Sequence, residues 1–268
     1  MTFIEKLITY LFKLKLVDGS FFKLSFPAEA EQAFAIAKAN RQITLEGFTL
    51  SNHLDGRIAE PKMTSEDLFS LNGTKLPCWR KEDIELEEEK WLTATNYYPL
   101  YFEVFKGLQP DKGQRVKFLE FGVRTGYMGA VFMKAIEGAK SYMGIDPNLY
   151  LKDGLERATA TLELLTQDST GTNYQFIKGY STFQAYLGSM QEYGPFDFIH
   201  IDGEHTLKGK VIDLFVAKDL VKKGGYVLVD DFNHVGIVAP AVKAALEKGW
   251  YSTFTYVPTL RGLAILTT

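Results

Sequence analysis

Between residues 116 and 231 the sequence alternates between two textures, and this alternation narrows the possible folds more than any other feature. Short apolar runs, "VKFLEFG" (116–122), "SYMGIDP" (141–147), "YQFIKGY" (174–180), "FDFIHID" (196–202) and "GYVLVDD" (225–231), are separated by "MGAVFMKAIEGA", "GLERATATLELLTQ", "TFQAYLGSMQEY" and "KVIDLFVAKDLVKK", which have helical character. A fully apolar run belongs in a strand covered on both faces, and a helix between two such strands makes them parallel through a right-handed crossover. The expectation is a doubly wound α/β sheet. "STFTYVP" and "GLAILTT" add two C-terminal strands, and the short turn at Arg261-Gly262 can join only an antiparallel pair. "NYYPLYFEVFKGL" (96–108) reads as a helix with Pro99 near its start, where proline is tolerated.

Residues 1–92 lack this order and are expected to form an accessory segment that covers an active site or mediates assembly, with residues 93–268 as the main domain. Phe3, Ile4, Leu7, Ile8, Leu11 and Phe12 recur at helical spacing, which predicts an amphipathic helix docked on its own chain or on a sister subunit. Its aromatic content makes a homo-oligomer a reasonable expectation. Glu5, Lys6, Lys13 and Lys15 interrupt it, and no stretch approaches the ~20 apolar residues needed to span a bilayer. The acidic run 82–89 reads as solvated surface. A net charge of −3 leaves no basic footprint for a nucleic acid. The single cysteine, Cys78, excludes an intramolecular disulfide and cysteine-pair zinc sites, and fits a reducing, cytoplasmic setting.

In open parallel sheets, ligands bind beyond the carboxyl ends of the strands. The chemistry-bearing residues of this chain stand at such ends. "LEFGVRTG" gives Glu120-x-Gly122-x-x-x-Gly126, in which Gly122 permits a tight turn and Gly126 lets a helix begin close to a ligand. This is not the dinucleotide G-x-G-x-x-G spacing. Asp146 closes the second strand, where an acidic side chain can accept both hydroxyls of a ribose.

"FLEFGVRTG", "GIDP", "FDFIHIDG" and "LVKKGGYVLVDD", in this order, resemble a class I S-adenosylmethionine-dependent methyltransferase. The resemblance covers about residues 93–268. It implies a seven-stranded, mostly parallel, Rossmann-like sheet with an antiparallel last strand. It also implies that Glu120, Gly122 and Gly126 lie along the methionine and ribose of the cofactor, that Asp146 takes the ribose hydroxyls and that Ser181, in "KGYST", meets the adenine. Tyr127-Met128 stand where relatives often carry a small hydroxyl residue, so the contact to the methionine carboxylate has no candidate.

If the fourth and fifth strands are neighbours, their ends lie about 5 Å apart and Asp202, Asp230 and Asp231 converge. Three such carboxylates would repel one another, and a hard divalent cation removes the conflict; oxygen donors favour magnesium over zinc. Asp202-Gly-Glu-His205 places an imidazole three residues past the first proposed ligand. The pattern is similar to metal-dependent O-methyltransferases. Those of the catechol type carry a lysine base at this +3 position, whereas the histidine and the Asp-Asp pair more closely resemble the sugar O-methyltransferases of macrolide biosynthesis. This resemblance implies His205 as a general base, neutral near pH 7, and a hydroxylated small-molecule acceptor, preferably a sugar or glycosylated natural product. A catechol or phenolic acceptor is the alternative within the class. A non-catalytic cofactor-binding protein or an aminopropyl transferase would not need three convergent carboxylates. His200, inside a strand, reads as core or support; His234 as a possible substrate contact; Glu204 as a solvated loop carboxylate.

Overall fold

The computed structural model describes residues 27–80, 97–110, 113–149, 153–167, 169–181, 184–234 and 236–268. The expected helix over residues 3–12 and the acidic run 82–89 lie outside them. Seven strands among these residues form one sheet: β1 (Val116–Phe121), β2 (Lys140–Ile145), β3 (Asn173–Ile177), β4 (Phe196–Ile201), β5 (Val221–Val229), β6 (Thr253–Val257) and β7 (Leu263–Thr267). Their spatial order is β3-β2-β1-β4-β5-β7-β6, with β1 to β5 parallel and β7 antiparallel to both β5 and β6. The doubly wound sheet read from the sequence is present, and its C-terminal hairpin lies with the last strand inserted beside β5.

Helices α1 (Ala28–Ala39), α2 (Tyr97–Leu108), α3 (Tyr127–Ala135), α4 (Gly154–Thr166), α5 (Gln184–Tyr193), α6 (Leu207–Leu220) and α7 (Val238–Glu247) cover the sheet. Side chains alternate along each strand, so two cores form. Leu119, Phe121, Ile199, Ile201, Val227 and Val229 pack with α1, α6 and α7. Phe118, Phe198 and Leu228 pack beneath α2 and α3, where Phe105 meets both Phe118 and Phe198 edge-on. Helix α6 stops at Leu220 rather than near Lys223, because Val221 adopts extended backbone and pairs with Phe196.

Residues 27–80 join both cores. Helix α1 lies against α6 and α7, and Ser51 bonds along the outer edge of β6, its N–H donating to Phe254 O at 2.7 Å. On the opposite face Leu54, Leu68, Phe69, Leu76 and Trp79 add to the α2/α3 core. Polar clasps fix this second strap. Lys134 Nζ donates to the carbonyls of Leu68 (2.6 Å) and Ser70 (2.8 Å). Buried Arg157 donates to Pro77 O (3.1 Å) and Cys78 O (2.8 Å), and Cys78 N–H donates to Thr161 Oγ1 (2.8 Å). Arg157→Met would leave two carbonyls without their charged donor. We expect it to lower the unfolding free energy by about 1–3 kcal/mol in urea denaturation, and an unchanged midpoint would show that the strap is held by packing alone.

Candidate active site

The strands β1, β2 and β3 step outward to one side, and the chain then returns to place β4 on the other side of β1. Helix crossovers diverge at this switch point and leave an opening at the carboxyl ends. A cavity of about 900 Å³ occupies it, walled by the loops after β1 to β4 and by Arg261. None of its wall comes from residues 27–80. The described part of the accessory segment therefore does not cover the opening.

At one end of the cavity stand Gly122, Asp146 and Ser181. Gly122 has φ +94°, and a Cβ there would lie 2.3 Å from the carbonyl oxygen of Asp202. Only glycine lets β1 turn this close to β4. Asp146 is buried, and its Oδ2 accepts the N–H groups of Val123 (2.9 Å) and Arg124 (2.8 Å) while Oδ1 accepts that of Asn148 (2.6 Å). Its carboxylate thus organises the loop after β1 across the strand gap. The Ser181 hydroxyl donates to Asp213 rather than pointing into the cavity alone.

Two proposed cofactor contacts are placed elsewhere. Alternation along β1 turns Glu120 away from the cavity, where it accepts from Tyr142 Oη at 2.5 Å and lies 3.8 Å from His200 Nδ1. Burial pushes the Glu120 carboxyl above its ordinary range, against the pull of His200. Gly126, at φ +90°, begins α3, and a Cβ on it would sit 2.9 Å from Ala158 of α4. Its role in the structure is the close approach of two helices.

At the other end, Asp202, His205 and Asp231 offer donor atoms within 4.8 Å of one another. His205 Nε2 is 3.0 Å from Asp231 Oδ2 and 3.5 Å from Asp202 Oδ1. Asp230 does not belong to this group. Asp230 turns inward, where Tyr97 Oη donates to its Oδ2 and its Oδ1 is buried with no hydrogen-bond partner, while the left-handed backbone of Asp231 (φ +59°) sends the next carboxylate the other way. Burial, with the charge of Asp202, raises the Asp230 carboxyl to about 6. Asp202 is held below its ordinary value: burial opposes this, but the His205 hydrogen bond and the charges of Lys210 and His200 prevail. Hydrogen bonds to Asp202 and Asp231 raise His205 to about 9. In the metal-free protein this favours the charged imidazole at pH 7, whereas the neutral ring expected from the sequence belongs to a site that also holds a cation.

Sequence reasoning missed Arg261. Its Nη2 donates to Asp231 Oδ2 at 2.7 Å, and its Nε reaches the other oxygen. Backbone bonds from Phe232 and Asn233 to Gly262 and Arg261 hold this turn against the end of β5. The available signal was a lone charged residue in an otherwise uncharged segment after Lys248. Tyr97, the inward partner of Asp230, carried no signal beyond its place at a helix start.

Residues 119–232 match the family model described as a methyltransferase domain. Over that stretch the chain is similar to a methyltransferase. The match runs from β1 past the end of β5 and so includes every strand-end acid described above. Solved structures of low identity are similar to parts of the chain. They include the O-methyltransferase TomG from Streptomyces achromogenes, involved in tomaymycin synthesis and solved with S-adenosylmethionine (17% identity, TM-score 0.47, 63% of this chain and 78% of that one). Another is MycE from the mycinamycin pathway, solved with magnesium and S-adenosylhomocysteine (17% identity, TM-score 0.47, 77% and 54%). By sequence, the chain is 25% identical over 169 residues to a protein named uncharacterized protein R132 of Acanthamoeba polyphaga mimivirus, covering 59% of this chain and 74% of that protein.

Gly122→Ala should cost about 1–3 kcal/mol from the positive φ alone, with the clash against Asp202 adding to it, as read by chemical denaturation. Stability should also depend on His205. Because its pKa is raised on folding, its contribution is complete below pH 6.5 and is lost as pH rises through about 9. In protein stripped of divalent cations, His205→Gln should flatten that decline; an identical pH profile for both proteins would contradict the assignment.

Proposed function

We propose that this chain is an S-adenosylmethionine-dependent O-methyltransferase that uses a divalent cation, preferably magnesium, to methylate a hydroxyl of a small molecule. A sugar or glycosylated natural product is the preferred acceptor. The observation that supports this best is that one cavity joins the Gly122–Asp146 loop pair to the Asp202, His205 and Asp231 cluster. The donor set fits a cation: two carboxylates converge beside a third whose Oδ1 has no partner.

Asp146 holds the loop after β1 in place, and the carboxylate, with about four acceptor positions and three in use, keeps capacity for a ribose hydroxyl. S-adenosylmethionine supplies the electrophilic methyl group, so the protein's contribution is alignment. Asp202 and Asp231 would hold the cation through oxygen, with Asp230 behind them, and the bound ion would lower the pKa of the acceptor hydroxyl. His205 stands at the same spot and takes the hydroxyl proton. It can do so only once the charges of Asp202 and Asp231 are otherwise compensated, because those carboxylates are what keep it protonated. Arg261 keeps Asp231 oriented from the opposite side.

A second reading has one observation in its favour: Arg261 and His205 already compensate Asp231 without any ion, so transfer could proceed metal-free. Chelation separates the two. Labelled-methyl transfer to a panel of sugar, glycosylated and phenolic acceptors should vanish in a strong chelator and return with magnesium. Full activity in the chelator would establish the metal-free reading, and transfer only to phenols would overturn the sugar preference.

A further inference from the structure

Helix α6 carries two ionisable side chains, Lys210 and Asp213, with no solvent exposure. They are three residues apart and so lie on one side of the helix, among Leu207, Val211, Leu214 and Ala217, which are buried against the sheet. Removing an ammonium and a carboxylate from water is costly, and an apolar pair would fill this position at least as well for packing. Their partners indicate a different purpose. Lys210 Nζ donates to the carbonyl of Ile201 at 3.3 Å, one residue before Asp202. Asp213 accepts the Ser181 hydroxyl through Oδ1, and its Oδ2, buried without a hydrogen-bond partner, faces the loop that carries Asp202 and His205. A Cβ at Gly203 would lie 3.6 Å from Asp213 Oδ2, so the carboxylate also lies directly against that loop. The two residues therefore clamp the loop after β3 to the loop after β4, both of which wall the same cavity.

We propose that Lys210 and Asp213 are positioning residues that couple occupancy of the Ser181 end of the cavity to the placement of Asp202 and His205. When a cofactor settles against the Ser181 loop, Asp213 transmits that position to the backbone at Gly203, against which its carboxylate packs, and Lys210 anchors the near end of the same loop at Ile201. The inference rests on the methyltransferase reading for its catalytic consequence, but the mechanical link does not require turnover.

The test uses the double variant Lys210→Met/Asp213→Leu, which replaces the buried charges by apolar groups of similar size. Its urea midpoint should equal or exceed that of the wild type, as buried charge pairs often allow. Its kcat should nevertheless fall about 10–100-fold, with the acceptor KM changed less than about threefold. In the wild type, S-adenosylhomocysteine should slow amide exchange across residues 202–206, and in the double variant it should not. A double variant with normal kcat and normal protection of 202–206 overturns the proposal. If that variant does not fold, Asp213→Asn, which preserves shape, gives the same comparison. Protection that depends on Asp213 in a wild type that transfers no methyl group would uphold the coupling and sink the catalytic reading. Active wild type without protection of 202–206 would do the reverse.

Discussion

The register between β1, β4 and β5 is the constraint on which the site depends. Asp202 N–H donates to Phe121 O at 2.9 Å, and Asp230 N–H donates to Ile201 O at 3.2 Å, so the sheet ladder continues one residue past each strand. Those two bonds bring the acids after β4 and β5 to the same height as the glycine turn after β1. A slip of one residue would exchange the two faces of a strand and carry Asp202 from the α2 side of the sheet to the α6 side. Gly122 makes the arrangement possible, since any side chain there would strike the Asp202 carbonyl.

Electrostatics then determines what the converged acids can do. Asp202 and Asp231 meet on the cavity side while Asp230 turns inward, and the chain supplies its own compensation: His205 and Arg261 on the cavity side, and the Tyr97 hydroxyl with the His200 charge on the inner side. His200 in turn sits beside Glu120, one step deeper in the sheet. Charge is therefore layered from the core outward, with each layer offsetting part of the one above. The cavity end of this stack is where exchange of a proton or a cation costs least, because Asp202 and His205 are the members still in contact with solvent.

Much of this was legible in the sequence, and for identifiable reasons. Runs such as "FDFIHID" are apolar on both faces, which has few solutions other than a central parallel strand, and acids that end such runs must sit at the sheet's carboxyl edge. The spacing of Asp202 and His205 survives folding because one short loop contains both. What pattern could not settle was direction. Glu120 is adjacent to Gly122 in the motif, but strand alternation turns it toward Tyr142. Asp230 and Asp231 are neighbours in sequence, and the left-handed backbone of Asp231 (φ +59°) sends their carboxylates apart. Arg261 lies far along the chain from the acid it holds, and only the insertion of β7 beside β5 brings them together.

The carboxylate of Asp146 gathers the N–H groups of Val123, Arg124 and Asn148 before any ligand arrives. The loop proposed to receive a nucleoside is accordingly tied down in advance. A molecule entering this cavity does not have to immobilise that backbone, so little of its interaction energy is consumed in ordering the protein. One aspartate, besides the acceptor position it keeps for a ligand hydroxyl, thereby lowers the entropic cost of capture.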